Sequence, residues 1–304
     1  MREIFLHTLS QTTVLFVFLL IGYFLRWRKI LPDNTARVLS KLEMTVILPM
    51  MNFKSFSTNF TRETIREAGV TLISGAALLG VVFGLALLLA FVFAKERNER
   101  DIYIYSFTIP NFGYIGYALM QFLYGDVMLF NMQVFCLPMS MFVYSLGMYL
   151  LSPQKKWNLR SFLNPSFISM IVGMLFGILE IPIPKLVLNV CTSGANCMAP
   201  LAMILTGIVI ASQPPITLMK DTKVYIACAI RLLILPGAGL LLSKLLGLPE
   251  LYQRVIVLFL AMPMGLNTIV FPEAAGGDSS TGAKMALISN VAGLVTIPLM
   301  LSLI

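Results

Sequence analysis

The stretch IPNFGYIGY, residues 109–117, interrupts an apolar segment that begins DIYIYSFT and continues ALMQFLYG. Pro110, Gly113 and Gly116 are poor helix formers, and Asn111 is another that also brings an amide. A helix breaker in hydrocarbon leaves backbone polar groups without water, at a cost of several kcal/mol each. Such backbone persists only where protein or a water-filled cavity satisfies it. The stretch therefore predicts a broken helix beside a cavity, provided that lipid surrounds the chain.

Composition supplies that condition. Of 304 residues, 58% are hydrophobic and only 12% charged, with a mean hydropathy of +0.86; a soluble domain carries about 25% charge. A spanning helix needs about 20 apolar residues. Ten segments fit, near 6–26, 36–56, 68–94, 102–123, 127–151, 162–180, 186–211, 223–246, 251–274 and 282–303, so the expected fold is an all-α integral membrane protein. A β-barrel would alternate apolar and polar residues, whereas GVTLISGAALLGVVFGLALLLAFVFA at 69–94 is apolar all round. No small-residue cleavage site precedes RWRK, so the first segment reads as a retained helix.

The net charge of +8 is unevenly placed. Arg26, Arg28, Lys29, Arg37 and Lys41 follow the first span, and the other odd-numbered loops also hold more Lys and Arg than the even-numbered ones. Positive loops face the cytoplasm, so both termini are expected outside a cell membrane, most simply a bacterial inner membrane. The basic balance is orientation and attraction to anionic lipid, with no nucleic-acid partner implied. Cys136, Cys191, Cys197 and Cys228 lack metal-ligand spacing and read as small buried residues.

Breakers recur in the second half. MTVILPMMNF around Pro49 is answered by NCMAPLAMIL around Pro200, and TIPNFGYIGY around Pro110 by AMPMGLNTIVF around Pro263, at nearly one separation. With five spans on each side of the loop SPQKKWNLRS, the halves 1–151 and 162–304 enter the membrane in opposite directions. Inverted repeats with discontinuous helices are typical of secondary transporters, whose site lies where the breaks meet. Spans 4 and 9 would cross there, presenting half-helix N-termini and the amides of Asn111 and Asn267. The plainer reading makes them proline kinks, with asparagines bonding neighbouring helices.

PNFGYIGYAL, AMPMGLNTIVF and ISNVAGLVTIPLM, with ILPMMNF, MAPLAMILTG and IRLLILPGAGLLL, resemble the auxin efflux carrier family in its short bacterial form, over the whole chain. The resemblance implies a scaffold of helices 1, 2, 6 and 7 that carries a homodimer contact. It implies a transport domain of helices 3–5 and 8–10 moving as an elevator, with small organic anions, auxins or dicarboxylates, as substrates. It matches Pro110 and Pro263 to the crossover prolines and Asn111 to the crossover asparagine. Asn267, four residues after Pro263, departs from that symmetry.

Further candidates are polar residues inside spans. Arg231 would either fork-bond a carboxylate or bond helix-end carbonyls. Lys41 and Glu43 read as interfacial anchors, and Glu180 and Glu273 as solvated span ends. Ser140, Tyr144 and Ser145 lie near one face of span 5, and Asn189, Ser193 and Asn196 on one face of span 7, where helix–helix hydrogen bonds explain them. Ser289, Asn290 and Thr296 in span 10 are candidates for substrate or ion coupling. The central turns of spans 4, 5, 9 and 10 hold no Asp or Glu, which argues against a carboxylate relay through the crossover. No cofactor or metal is implied. A membrane enzyme would need paired carboxylates or a histidine site, and the sole histidine, His7, sits at the N-terminal end. A channel is a third class, told apart by saturable flux. Among transporters, the alternative is a sodium-coupled protein resembling bile-acid symporters.

Overall fold

The computed structural model describes residues 2–155, 163–212, 221–274 and 279–304. The side chains of residues 2–12, 273 and 274 are outside that description, so the readings of His7 and Glu273 fall beyond it, as does much of the mid-chain loop. The described residues are helical, with one isolated antiparallel bridge and no strand.

The first half comprises α1 (Arg2–Trp27), α2 (Thr35–Leu42), α3 (Leu48–Asn59), α4 (Ile65–Phe93), α5 (Arg97–Thr108), α6 (Tyr117–Phe135), α7 (Leu137–Phe142) and α8 (Met148–Leu151). The second comprises α9 (Pro165–Ile178), α10 (Lys185–Asn196), α11 (Met198–Ala211), α12 (Thr222–Ala229), α13 (Leu235–Leu245), α14 (Glu250–Ala261), α15 (Asn267–Ala274) and α16 (Ser280–Leu301). Among the described residues four helices are long and apolar enough to cross a membrane: Ile65–Phe93, Lys185–Ala211, Thr222–Leu245 and Ser280–Leu301. Phe112–Phe135 with Leu137–Leu151, bent by 47°, makes a fifth if counted as one broken span.

Of the other expected spans, the second and ninth are cut into shorter pieces, α2 with α3 and α14 with α15, while α1 is continuous and α9 is a single helix of 14 residues. Pro49 and Pro236 each sit at the start of a helix that follows a π turn, Glu43–Ile47 and Ile230–Ile234. A proline cannot donate to the carbonyl four residues back and its ring crowds it, so the preceding turn widens. Further π turns occur at Phe112–Gly116 and Val143–Gly147. Gly125, at φ 80° and ψ −173°, breaks α6 between the segments expected as spans 4 and 5, a conformation only glycine takes without strain.

The outer surface is apolar: Ile73, Leu88 and Val92 of α4 are exposed, as suits a lipid-facing helix. Inside, α1 packs along α11, α3 against α9, α4 against α5 and α13 against α14. Gly22 and Gly207 let α1 and α11 approach closely, since a Cβ on either would collide with a backbone oxygen, of Ile204 or Leu19. Small residues at such contacts are how helices pack where burial in lipid offers little drive. The cysteine expectation holds for Cys136, Cys191 and Cys228, but Cys197 is exposed at the α10–α11 break.

Candidate functional site

The two breaks meet at the centre of the buried core. Ile109 and Met262 are extended after α5 and α14 end. The chain on either side forms the isolated bridge between Pro110 and Met264, with the Asn111 N–H donating to the Pro263 carbonyl at 2.8 Å. The Met264 N–H donates to Ser289 Oγ at 3.0 Å, and Ser289 in turn donates to the Ala286 carbonyl at 3.2 Å. These bonds satisfy the irregular backbone internally, as membrane depth requires.

Arg231 completes the support. It is fully buried; Nη1 donates to the Phe107 carbonyl at 2.8 Å and Nη2 to the Phe259 carbonyl at 3.2 Å. These carbonyls belong to the last turns of α5 and α14, where helices have unsatisfied acceptors and partial negative charge. One guanidinium thus closes both helix ends facing the crossover. Of the two readings open for Arg231, the contacts are those of the helix-end bond, made to the fourth and ninth expected spans, and the side chain lies outside the cavity wall.

Beyond the crossover a cavity of about 820 Å³, counted to its open mouth, is lined by Pro110, Asn111, Gly113, Ser140, Tyr144, Gly265 and Asn267. Gly113 opens onto free space, since a Cβ there would meet nothing within 4 Å. The wall also contains unspent polar atoms: Asn111 Nδ2, Asn267 Oδ1, Gln133 Oε1, Ser166 Oγ and both Glu43 oxygens are buried without a hydrogen-bond partner. Asn267 Nδ2 donates to the Tyr105 hydroxyl at 2.8 Å; turning that amide over would exchange which end faces the cavity, and one end is unspent either way. After the crossover, α6 with its π turn and α15 begin at this cavity, and the first N–H groups of a helix have no intrahelical partner. The first bonds of the π turn run from Ile115 and Gly116 to the Asn111 carbonyl, both 3.1 Å.

Not every predicted residue reaches this place. Pro263 and Asn290 line a smaller apolar cavity with Leu15, Leu19 and Ile297, and Asn290 Nδ2 bonds its own helix at the Ala286 carbonyl, 2.6 Å. Ser289 is spent on the backbone. Thr296 Oγ1 is buried without a partner but belongs to neither cavity wall. Ser145 bonds the Met141 carbonyl of its own turn at 2.6 Å. The helix–helix bonds expected for Asn189, Ser193 and Asn196 are not made among the described residues, where all three lie on the exposed face of α10. Glu180 is exposed, as expected of a solvated span end.

The clearest correction concerns Glu43. Lys41 is exposed but Glu43 is fully buried, so only the first is an anchor. Two residues on a helix point about 200° apart, and that turn carries Glu43 into the cavity wall. Sequence reasoning also missed an amide chain there: Gln133 Nε2 donates to Asn52 Oδ1 at 2.9 Å, and Asn52 Nδ2 to the Ser166 carbonyl at 3.1 Å. Ser40 and Tyr114 share a buried hydroxyl–hydroxyl bond of 2.9 Å. The available signal was Asn52, three residues beyond Pro49 in an otherwise apolar run.

Among known sequences, the model of a family described as "Membrane transport protein" matches residues 8–301. A protein of Escherichia coli K12 named as the uncharacterized transporter YfdV is 22% identical over 296 residues, covering 93% of each chain. The uncharacterized transporter MJ1031 of Methanocaldococcus jannaschii is 24% identical over 300 residues, covering 94% of this chain and 95% of that one.

Proposed function

Because the chain belongs to the membrane transport protein family, the auxin efflux carrier family, from near its first residue to near its last, we propose that it is a secondary transporter of small organic anions. The substrate binds in the crossover cavity. The observation that carries this reading is the polar wall: Asn111 Nδ2 and Ser166 Oγ stand unspent beside two helix beginnings. Helix beginnings attract anions, and amide and hydroxyl donors bond carboxylates. Among the described residues no Lys or Arg lines the cavity, so the anion is held by dipoles and released readily.

The proposal includes ten membrane spans in two inverted five-helix repeats, 1–151 and 162–304, crossing where Pro110 meets Met264. Helices 1, 2, 6 and 7 form the scaffold, supported by the pairing of α1 with α11 and α3 with α9. The remaining helices move as an elevator, supported by the pairing of α4 with α5 and α13 with α14. A homodimer through the scaffold fits the exposed apolar residues Leu186, Val187 and Val190 of α10. The membrane is the bacterial inner membrane, with both termini outside.

The test is uptake of radiolabelled malonate, malate and indole-3-acetate into proteoliposomes, with and without a sodium gradient. Saturable uptake of one acid is expected without sodium. Uptake that requires sodium would favour the alternative resembling bile-acid symporters, and unsaturable flux would favour a channel.

A further inference from the structure

Glu43 is the carboxyl group in the wall of the crossover cavity, and nothing in the anion reading uses it. It is fully buried in the π turn Glu43–Ile47, and both of its oxygens lack a hydrogen-bond partner. Among the described residues no Arg or Lys shares the cavity wall to compensate it. On its own segment, the cation two residues away, Lys41, is exposed. Of the helices packed against the turn, α3 carries Lys54, which bonds Asp126, and α2 carries Arg37 and Lys41. The packed faces of α9 and α11 have no ionisable side chain, and α10 has Lys185 and Cys191. Across the cavity stand the tyrosines Tyr114, Tyr117 and Tyr144.

An isolated carboxylate in such surroundings takes up a proton rather than keep its charge. An anion entering beside an ionised Glu43 would be repelled; beside the neutral acid it gains an O–H donor. We propose that Glu43 is a proton-carrying site of the crossover cavity, so that an anion and a proton load together and transport is proton-coupled. The proton comes from the water of the side to which the cavity opens and is given up on the other side after the anion has left, where the proton concentration is lower. The inward position of Glu43 follows from the helix itself: it lies about 200° round from the exposed Lys41. This extends the anion reading and rests on it.

Two measurements separate failure of this proposal from failure of that reading. In proteoliposomes, an inwardly directed proton gradient is expected to drive malonate accumulation several-fold above the level without a gradient. In Glu43→Gln, whose amide still donates, uptake is slower, insensitive to pH and without gradient-driven accumulation. Gradient-driven accumulation that survives in Glu43→Gln, or that follows sodium instead, overturns the proposal. If malonate is not carried, the gradient test is run with malate and indole-3-acetate; if none of the three is carried, the anion reading is at fault, and the site is still tested by infrared spectra of the purified protein at neutral pH. A protonated-carboxyl band present in the wild type, absent in Glu43→Gln and shifted in Glu43→Asp supports it; identical spectra overturn it.

Discussion

Arg231 and Glu43 are both fully buried, both inside expected spans and both in π turns, yet their surroundings are opposite. Arg231 donates to the ends of two helices, while neither oxygen of Glu43 has a partner. Arg231 keeps only Nε without a partner, away from the crossover cavity's wall, and its two backbone bonds hold the architecture; Glu43, with neither oxygen bonded and in that wall, is available to a ligand or a proton. The same contrast runs through the amides. Asn290 Nδ2 bonds its own helix and its Oδ1 is left unbonded beside the smaller apolar cavity, whereas Asn111 has an unbonded Nδ2 in the wall of the crossover cavity.

The sharpest way to break this contrast is to remove the architectural member. Arg231→Met should leave the Phe107 and Phe259 carbonyls unpaired; hydrogen bonds to a charged group contribute about 1.5–3 kcal/mol each. The expected result is a large drop in folded yield and melting temperature in detergent, partly restored in Arg231→Lys, which reaches one carbonyl. A stable, active Arg231→Met would return the residue to the substrate.

Next in size is a packing change away from both. Gly207→Ala places a methyl against the Leu19 carbonyl, and overpacking of this kind costs about 1–3 kcal/mol. Thermal unfolding should fall while substrate affinity in the surviving protein stays within twofold or so.

Asn111→Ala sits at the other pole. The backbone N–H that bonds Pro263 is kept and the amide Nδ2 that is removed had no partner, so the melting temperature should move far less than in Arg231→Met while binding collapses.

The smallest effect is expected at the rim. Lys54 Nζ bonds Asp126 Oδ2 at 2.7 Å, and Gln121 bonds Oδ1 at 3.0 Å. Burial pushes the Asp126 carboxyl upward, but the bonds from Lys54 and Gln121 outweigh it and hold the group below its usual value. A lowered carboxyl contributes stability above its unfolded value of 3.8, lost as pH falls through the lower folded value. Half of this pair is exposed, so Asp126→Asn should cost only about 0–1 kcal/mol at neutral pH, read as melting temperature against pH.

How much of this could be read in the chain follows from what each residue's evidence was. Pro110, Asn111, Gly113 and Asn267 were legible because breakers and amides in apolar runs have few explanations. Helical spacing put Ser140 and Tyr144 near one face, but it pointed to helix–helix bonds and could not show that this face turns to the cavity. Glu43 was not, because the expected span, from 36, starts beside the true helix start at Thr35 but does not say which helix face turns inward, and only packing separates Glu43 from the exposed Lys41. Nor could Gln133 be found, since its partner Asn52 is 81 residues away and only tertiary packing joins them. Arg231 was visible as a buried charge, but its choice of partners depends on two helix ends that meet only in the fold.

The central claim is that the crossover cavity is the transport site, and one comparison tests it most directly. Purified wild type and Asn111→Ala, matched for melting temperature, are assayed for saturable exchange of malonate, malate and indole-3-acetate in proteoliposomes. The account predicts exchange of at least one acid by the wild type and its loss in the variant at unchanged stability. Equal exchange by both proteins, or loss of the fold along with the activity, would contradict it.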